Sequence, residues 1–224
     1  MAVPLYEHPV WESLPDQVMR PGGLILTERA FSFAELASGS RVLDLGCGLG
    51  ATLRHLSADY GLAAFGVDVS SPLLGRADRD DKVAFVQARS EQLPLASESI
   101  GAVISECTLS LFEMESALRE VVRVLKPGGW FIVSDLYVRN VDGIAALRQL
   151  PAGTSIGAAM AQEEIEAKIA ACGLDIVTWQ DCSEHLKAFP FCRLSTAAEV
   201  NPFDLVIAAG KAKLGYYVMV ARKS

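Results

Sequence analysis

A short apolar run that leads into three closely spaced glycines constrains this chain more than any other segment. Residues 42–45 are apolar except for Asp44, which is typical of a buried strand, and Gly-Cys-Gly-Leu-Gly follows from Gly46 to Gly50. Glycine lets the backbone turn sharply and lets a ligand lie against the main chain, where a Cβ would block it. The segment 51–61 has leucines at helical spacing and ends in glycine, which predicts a helix. A strand, a glycine turn and a helix indicate a nucleotide-type site.

The spacing and charge of this turn separate two kinds of nucleotide. A dinucleotide fingerprint has the spacing GxGxxG, whereas this turn has GxGxG with Asp44 two residues before it. A carboxylate there would repel a phosphate but suits an ammonium or sulfonium group. The next predicted strand, 62–68, ends in Asp68, and an acid in that place can accept hydrogen bonds from both ribose hydroxyls. S-adenosylmethionine meets these requirements, because it has a ribose and a positive charge but no phosphate.

Three segments, in order, resemble the successive motifs of class I S-adenosylmethionine-dependent methyltransferases. They are LDLGCGLG from Leu43, GVDVS from Gly66 and LKPGGWFIVSD from Leu125, and the resemblance is close over 41–136 and loose elsewhere. It implies a Rossmann-like, doubly wound α/β fold with helices on both faces of a mostly parallel seven-stranded sheet. The implied strand order is 3-2-1-4-5-7-6, with the last strand antiparallel.

The 224 residues are enough for one well-buried domain. We expect three parts within it: an N-terminal helical cap over 1–39, a cofactor-binding core over 40–138, and an acceptor-side insertion with the C-terminal strands over 139–224. Residues 24–37 are predicted to be a helix, and 182–209 receive no assigned form. Further strands are predicted over 83–87, 100–107, 130–135, 174–181 and 214–223, and further helices over 115–125 and 161–172.

The resemblance implies that the cofactor is held by residues near the ends of the first four strands. One segment departs from the family. Where members usually have G-D-A-x-x-L-P-F, this chain has Ala88, Arg89 and Ser90 in place of the first three residues. The family's aspartate commonly accepts the adenine amino group, and arginine has no acceptor. Ser90, its backbone or Glu91 could substitute, while Arg89 could stack on the adenine or point to solvent. The predicted cofactor-binding residues are Asp44, Gly46, Cys47, Gly48, Asp68, Val69, Arg89, Ser90 and Glu106.

Two residues are predicted to be catalytic. Glu106 closes the fourth predicted strand, at the level where the reacting methyl group should lie, and is the first candidate for a base. The alternative for Glu106 is a charge at a helix N-terminus or in a surface ion pair. Tyr137 ends the fifth strand on the cofactor side and is the candidate for contact with the acceptor, the alternative being a structural tyrosine. The expected reaction is direct in-line methyl transfer, in which a base is needed only when the acceptor must lose a proton.

The expected acceptor is a small organic molecule. The segments ISECTLSLF, SDLYVR and SIGAAM resemble the arsenite methyltransferases, a branch close to the quinone-biosynthesis enzymes. In the arsenite enzymes a cysteine normally stands where this chain has Ser155, and a hydroxyl does not replace a thiolate on trivalent arsenic. Cys172, Cys182 and Cys192 are widely spaced and match no compact metal pattern. Arsenite methylation and a non-catalytic protein that binds the cofactor remain alternatives, and no bound metal is expected.

Composition narrows the partners and the compartment. A net charge of −7 argues against a nucleic-acid backbone as partner. The sequence has neither an apolar run of membrane-spanning length nor a basic segment followed by an apolar stretch at its start, so we expect no membrane insertion. Five cysteines without a disulfide framework agree with a reducing compartment, so the expected location is cytoplasmic.

Overall fold

A mixed sheet is at the centre of the structure, a computed structural model that describes residues 5–8, 18–78, 83–150, 154–188 and 201–224. The bounds of its strands are β1 Arg41–Leu45, β2 Ala63–Asp68, β3 Val83–Gln87, β4 Ile100–Glu106, β5 Leu125–Val138, β6 Met160–Ala161, β7 Leu174–Asp181 and β8 Leu214–Lys223.

The strand order is β3-β2-β1-β4-β5-β8-β7, which confirms the predicted topology and adds one short strand. That strand, β6, pairs with the end of β5, where Tyr137 lies opposite Met160. Strands β1 to β5 are parallel, while β8 is antiparallel to both of its neighbours, β5 and β7. The chain order reverses between β1 and β4, so the carboxyl ends of these strands form the crevice in which doubly wound proteins bind ligands.

Helices cover both faces of the sheet. Their bounds are α1 Gly23–Phe31, α2 Ala51–Tyr60, α3 Ser71–Arg76, α4 Met114–Val124, α5 Ile144–Leu147, α6 Ser155–Ala158, α7 Gln162–Ala171 and α8 Pro202–Lys211, with 3₁₀ turns at Leu5–Glu7, Leu109–Leu111, Val141–Gly143 and Ser183–Ala188. The first helix is shorter than predicted, because the Ser32 hydroxyl donates to the Arg29 carbonyl (2.7 Å) and the helix ends at Phe31. Helix α8 lies in the segment that received no assigned form.

Two large apolar clusters form the core, one on each face of the sheet. Alternation along the strands divides them: in β1, Val42 belongs to one cluster and Leu43 to the other. Helix α4 buries Leu118 and Val121 completely on its inner face, and each such side chain contributes roughly 1.5–3 kcal/mol. Among the described helices, none has both the length and the apolar character needed to cross a bilayer.

Candidate functional site

The turn after β1 can be built only with glycine at two positions. Gly46 has φ of +75°, and a Cβ there would lie 2.4 Å from Thr108 Cγ2. Gly48 has φ of +51°, and a Cβ there would lie 2.8 Å from Met19 Cε. The Gly46 N–H donates to the Val67 carbonyl at 2.8 Å, which holds the turn against the end of β2. At Gly46 both the left-handed backbone and the contact with Thr108 therefore favour glycine, and at Gly48 the left-handed backbone favours it, because the Met19 side chain can move aside.

Asp68 ends β2 directly beside this turn. One carboxylate oxygen, Oδ2, accepts from the Gly48 N–H at 2.8 Å, and Oδ1 accepts from the Ser70 N–H at 2.8 Å. The side chain is buried, and burial raises the pKa of Asp68 although the two N–H donors oppose the shift. A carboxylate offers about four lone-pair sites, so Asp68 keeps acceptor capacity beside the glycine turn. The structure thus brings Asp68, Gly46 and Gly48 together as the sequence predicts.

A cavity of about 450 Å³ opens at these carboxyl ends. This volume lies within the range of small-molecule sites, roughly 300–1,000 Å³. Gly46, Gly48, Asp68 and the half-exposed Val69 line one part of it. The N-terminal segment covers that part, since Tyr6 and Met19 also line the cavity. The Glu7 carboxylate accepts from the Ser70 hydroxyl at 2.7 Å, which fastens the segment to the start of α3.

The loop after β3 contributes four adjacent residues, Ala88 to Glu91, to the same cavity. Ser90 is buried, whereas the Arg89 side chain is 69% exposed and pairs with Glu91 at 3.3 Å. Burial tends to raise the pKa of Glu91, but the N–H of Glu113 at 3.0 Å and the Arg89 charge outweigh it and leave that pKa below its usual value. Glu91 is therefore an ionised acceptor two residues after Arg89, which stands at the position of the family aspartate.

Glu106 lies at the end of β4 and lines the cavity, and its carboxylate already has three polar partners. Oε2 pairs with Arg20 at 2.9 Å and accepts from the Thr52 hydroxyl at 2.7 Å, and Oε1 accepts from the Thr27 hydroxyl at 2.7 Å. The side chains of Arg20 and Glu106 are only 7% and 6% exposed. The ion pair is thus buried, unlike the surface pair considered from the sequence. The roles of Glu106 in catalysis and cofactor binding stay predictions.

Asp44 and Cys47 lie behind the cavity wall rather than on it. Asp44 is buried in β1, and its pKa is raised well above the usual value by burial and by the Glu106 charge, while Arg20 opposes the shift. Cys47 packs with Leu53 in a small core cluster, and burial raises the pKa of its thiol. Any direct contact between Cys47 and a ligand would therefore have to come from its backbone.

The structure does not bring Tyr137 to the cavity. Successive residues of a strand face opposite sides of a sheet, and in β5 it is Leu136 that lines the cavity. The Tyr137 ring instead meets Trp179 and Tyr217 edge-on, at centroid distances of 5.6 and 5.8 Å. Its position indicates the structural alternative, and its catalytic role is not carried into the proposals below.

The far part of the cavity is mainly apolar. Leu111 and Phe112, from the loop after β4, face it together with Leu136 and Ile156. Ser155 adds a hydroxyl from α6. The sequence pattern did not indicate Leu111, Phe112 or Ile156, because they lie in or next to elements of one turn, which are too short to show a periodicity.

The cysteines do not gather into a thiolate site in the described chain. Cys172 precedes β7 and Cys182 follows it, so the eight residues of the strand separate them by roughly 25 Å. Cys192 lies outside the described residues. In the part of the chain that the structure describes, no three histidine, cysteine or acidic residues are placed to share a metal ion.

Comparisons with known proteins agree with this geometry. A family model described as a methyltransferase domain matches residues 43–133. Methyltransferase GfsG of Streptomyces halstedii is 29% identical over 173 residues, which cover 72% of this chain but 62% of that protein. Demethylmenaquinone methyltransferase of Corynebacterium urealyticum is 32% identical over 169 residues, 66% of this chain and 73% of that protein. Among solved structures, the [4+2]-cyclase SpnF superposes with a TM-score of 0.68 at 25% identity, over 89% of this chain and 80% of that one.

The fold and the site define a class I S-adenosylmethionine-dependent methyltransferase domain. The chain belongs to the methyltransferase-domain family, as its matched core and its similarity to the Corynebacterium enzyme show. The resemblance stated from the sequence motifs is confirmed.

Proposed function

We propose that this protein transfers a methyl group from S-adenosylmethionine to an uncharged, apolar small molecule. The observation that supports binding of S-adenosylmethionine is the position of Asp68 directly beside the turn at Gly46 and Gly48. Asp68 has free acceptor sites for two sugar hydroxyls, and the turn has no side chain that would keep a ligand from the main chain. Bound there, the cofactor would supply an electrophilic methyl group on sulfur.

The residues of the chain have separate tasks in this proposal. Asp68 binds the ribose, and Ser90 with the ionised Glu91 accepts hydrogen bonds from the adenine amino group. Asp44 and Glu106 place two acids behind the wall beside the turn against one cation, Arg20, which suits a cationic amino-acid group and disfavours a pyrophosphate. The Arg89 side chain is largely exposed, which favours the solvent-facing alternative over stacking.

The apolar part of the cavity supports an uncharged acceptor. Leu111, Phe112, Leu136 and Ile156 offer contact area and exclude water from the reacting atoms, but no charge that could pair with an anion. The two relatives reported above are named as methyltransferases, one of them as acting on demethylmenaquinone. Arsenite is less well supported, because Ser155 lines the cavity and Cys172 and Cys182 lie at opposite ends of β7.

Calorimetry and an acceptor screen test the proposal. We expect S-adenosylmethionine to bind and NAD not to bind. Adenosylhomocysteine should then be released with uncharged phenols, quinols or thiols and not with phosphorylated or arsenite acceptors. Cofactor binding without turnover on any acceptor would support the non-catalytic alternative. A [4+2]-cyclase with this fold shows that methyl transfer has to be measured and not read from the fold.

A further inference from the structure

A buried polar cluster connects the N-terminal segment to the sheet immediately behind the cavity. Its members are Arg20, Thr27 of α1, Thr52 of α2 and Glu106 of β4, each less than a tenth exposed. An Nη of Arg20 donates to the Thr27 hydroxyl at 2.6 Å and pairs with Glu106 Oε2 at 2.9 Å. The two threonine hydroxyls donate to the same carboxylate. The cluster therefore joins four separate segments through one acid.

The charges of this cluster do not balance without Arg20. Asp44 of β1 is buried and pairs with Ile104 of β4, two residues before Glu106, so both acids face the same side of the sheet, and the Glu106 charge raises the pKa of Asp44. Two buried carboxylates without a cation would cost several kcal/mol, and one of them would take up a proton instead. The other titratable groups that face the cluster are Asp68 of β2, Cys107 after β4 and Tyr216 of β8. Arg20 is the cation among these described groups.

The hydrogen bonding of Arg20 indicates that the site requires its positive charge and not only its hydrogen-bond donors. Its Nε is buried and has no hydrogen-bond partner among the described residues. An unmade buried hydrogen bond costs roughly 1–3 kcal/mol, and the attraction of two carboxylates offsets that cost. A site that needed only a donor for Glu106 would be served by a neutral side chain.

We propose that Arg20 is a positioning residue whose charge neutralises Glu106, allows Asp44 and Glu106 to be buried together, and leaves Asp44 as the acid behind the cavity that a cationic group of the cofactor can ionise. The part of this proposal that concerns the ligand rests on the proposed function. The charge balance within the cofactor-free chain does not depend on it.

Urea unfolding between pH 5.5 and 8 tests the charge balance in the cofactor-free chain. Without Arg20 the folded state holds extra protons, so stability should fall as pH rises. We expect Arg20→Gln to raise the unfolding constant at pH 8 by at least about tenfold more than at pH 5.5, which corresponds to one pKa unit. Arg20→Lys keeps the charge and should not show this added pH dependence. The double variant Arg20→Gln/Glu106→Gln has one acid fewer and should also not show it. Thr27→Val removes a neutral partner and should destabilise equally at both pH values.

Several outcomes would overturn the proposal. The proposal is wrong if Arg20→Gln changes the unfolding constant equally at both pH values, or if Arg20→Lys shows the same pH dependence as Arg20→Gln. It is also wrong if the double variant keeps the pH dependence of Arg20→Gln. If Arg20→Gln does not fold, Glu106→Gln alone decides, because with Arg20 in place it should make stability less pH-dependent than in the wild type. An unchanged dependence there would also contradict the charge balance.

Calorimetry with adenosylhomocysteine, whose amino-acid group carries an ammonium, tests the ligand half. We expect Arg20→Gln to move the pH at which affinity is half lost upward by at least about one unit, and the double variant to restore it. If Arg20 bound the cofactor directly, the double variant would bind no better than Arg20→Gln, which would refute the proposal. Failure of the wild type to bind would refute the proposed function instead, and the unfolding series would still decide the role of Arg20.

Discussion

Replacing Asp68 with asparagine removes the charge of the predicted ribose-binding residue while keeping its shape. Charge-assisted hydrogen bonds contribute roughly 1.5–3 kcal/mol each and neutral ones roughly 0.5–1.5 kcal/mol. Loss of charge assistance on two sugar hydroxyls should therefore cost roughly 2–3 kcal/mol, a 30- to 150-fold weaker affinity for S-adenosylmethionine. The measurement is isothermal titration calorimetry at a temperature well below the unfolding transition.

Stability has to be followed in parallel, because Asp68 also accepts from the Gly48 and Ser70 N–H groups. The amide of asparagine can accept only one of these bonds well, so we expect a loss of about 1–2 kcal/mol in urea unfolding. Asp204→Asn, an exposed acid in the first turn of α8, makes the same change of net charge and should leave cofactor affinity unchanged, with a loss of stability of at most about 0.3–1 kcal/mol from the helix dipole.

A 2′-deoxy analogue of adenosylhomocysteine distinguishes a direct effect from an indirect one. If Asp68 binds the sugar, the variant should lose less affinity for the deoxy analogue than for adenosylhomocysteine. Wild-type affinity in a folded Asp68→Asn protein would refute the assignment. An equal loss with both ligands would refute the direct hydrogen bonds.

Three further changes test other parts of the structure. Gly46→Ala should destabilise the chain by more than about 1 kcal/mol in urea unfolding, because the new Cβ meets Thr108 at a positive φ, whereas Gly75→Ala in α3, with open space around it, should be neutral or stabilising by up to about 1 kcal/mol; equal effects of both would contradict the geometry of the turn. Burial raises the pKa of Asp135 to about 6, above its value in the unfolded chain, so the folded state binds more protons and the free energy of unfolding should fall between about pH 4 and pH 6. Asp135→Asn should flatten that fall in urea titrations, and an unchanged pH dependence would refute the assignment. Phe112→Ala should raise KM for an apolar acceptor roughly five- to thirtyfold, through about 1–2 kcal/mol of lost contact, with cofactor affinity unchanged; Phe203→Ala, 76% exposed on α8, is the matched control and should change neither.

The core of the fold could be predicted because its signals are local. The run 42–45, the glycines after it and the acid that closes β2 are each recognised within a few residues, and together they define one corner of the site. Strand order followed from the resemblance, since the antiparallel insertion of β8 depends on contacts between residues far apart in the chain.

The rest of the site depends on tertiary contacts. Arg20 lies 86 positions before Glu106, and no spacing rule connects a cation in an irregular segment to an acid at the end of a strand. Side chains along β5 alternate between the two faces of the sheet, and the residue at which this alternation starts decides which face Tyr137 is on. A shift of the alternation by one residue exchanges Leu136 and Tyr137 between the two faces. Because both faces of β5 are apolar, the sequence does not show which of the two alternatives is correct.

The position of β8 has a consequence for how this protein is made. This strand follows β7 in the chain and forms the only link between β5 and β7 in the described sheet, with nine residue pairs to β5. On the ribosome, β7 would emerge before any neighbour exists to receive it, and its apolar side chains would stay accessible until β8 has been synthesised. Assembly of this half of the sheet therefore has to wait for synthesis of β8, whereas β1 to β5 can associate earlier.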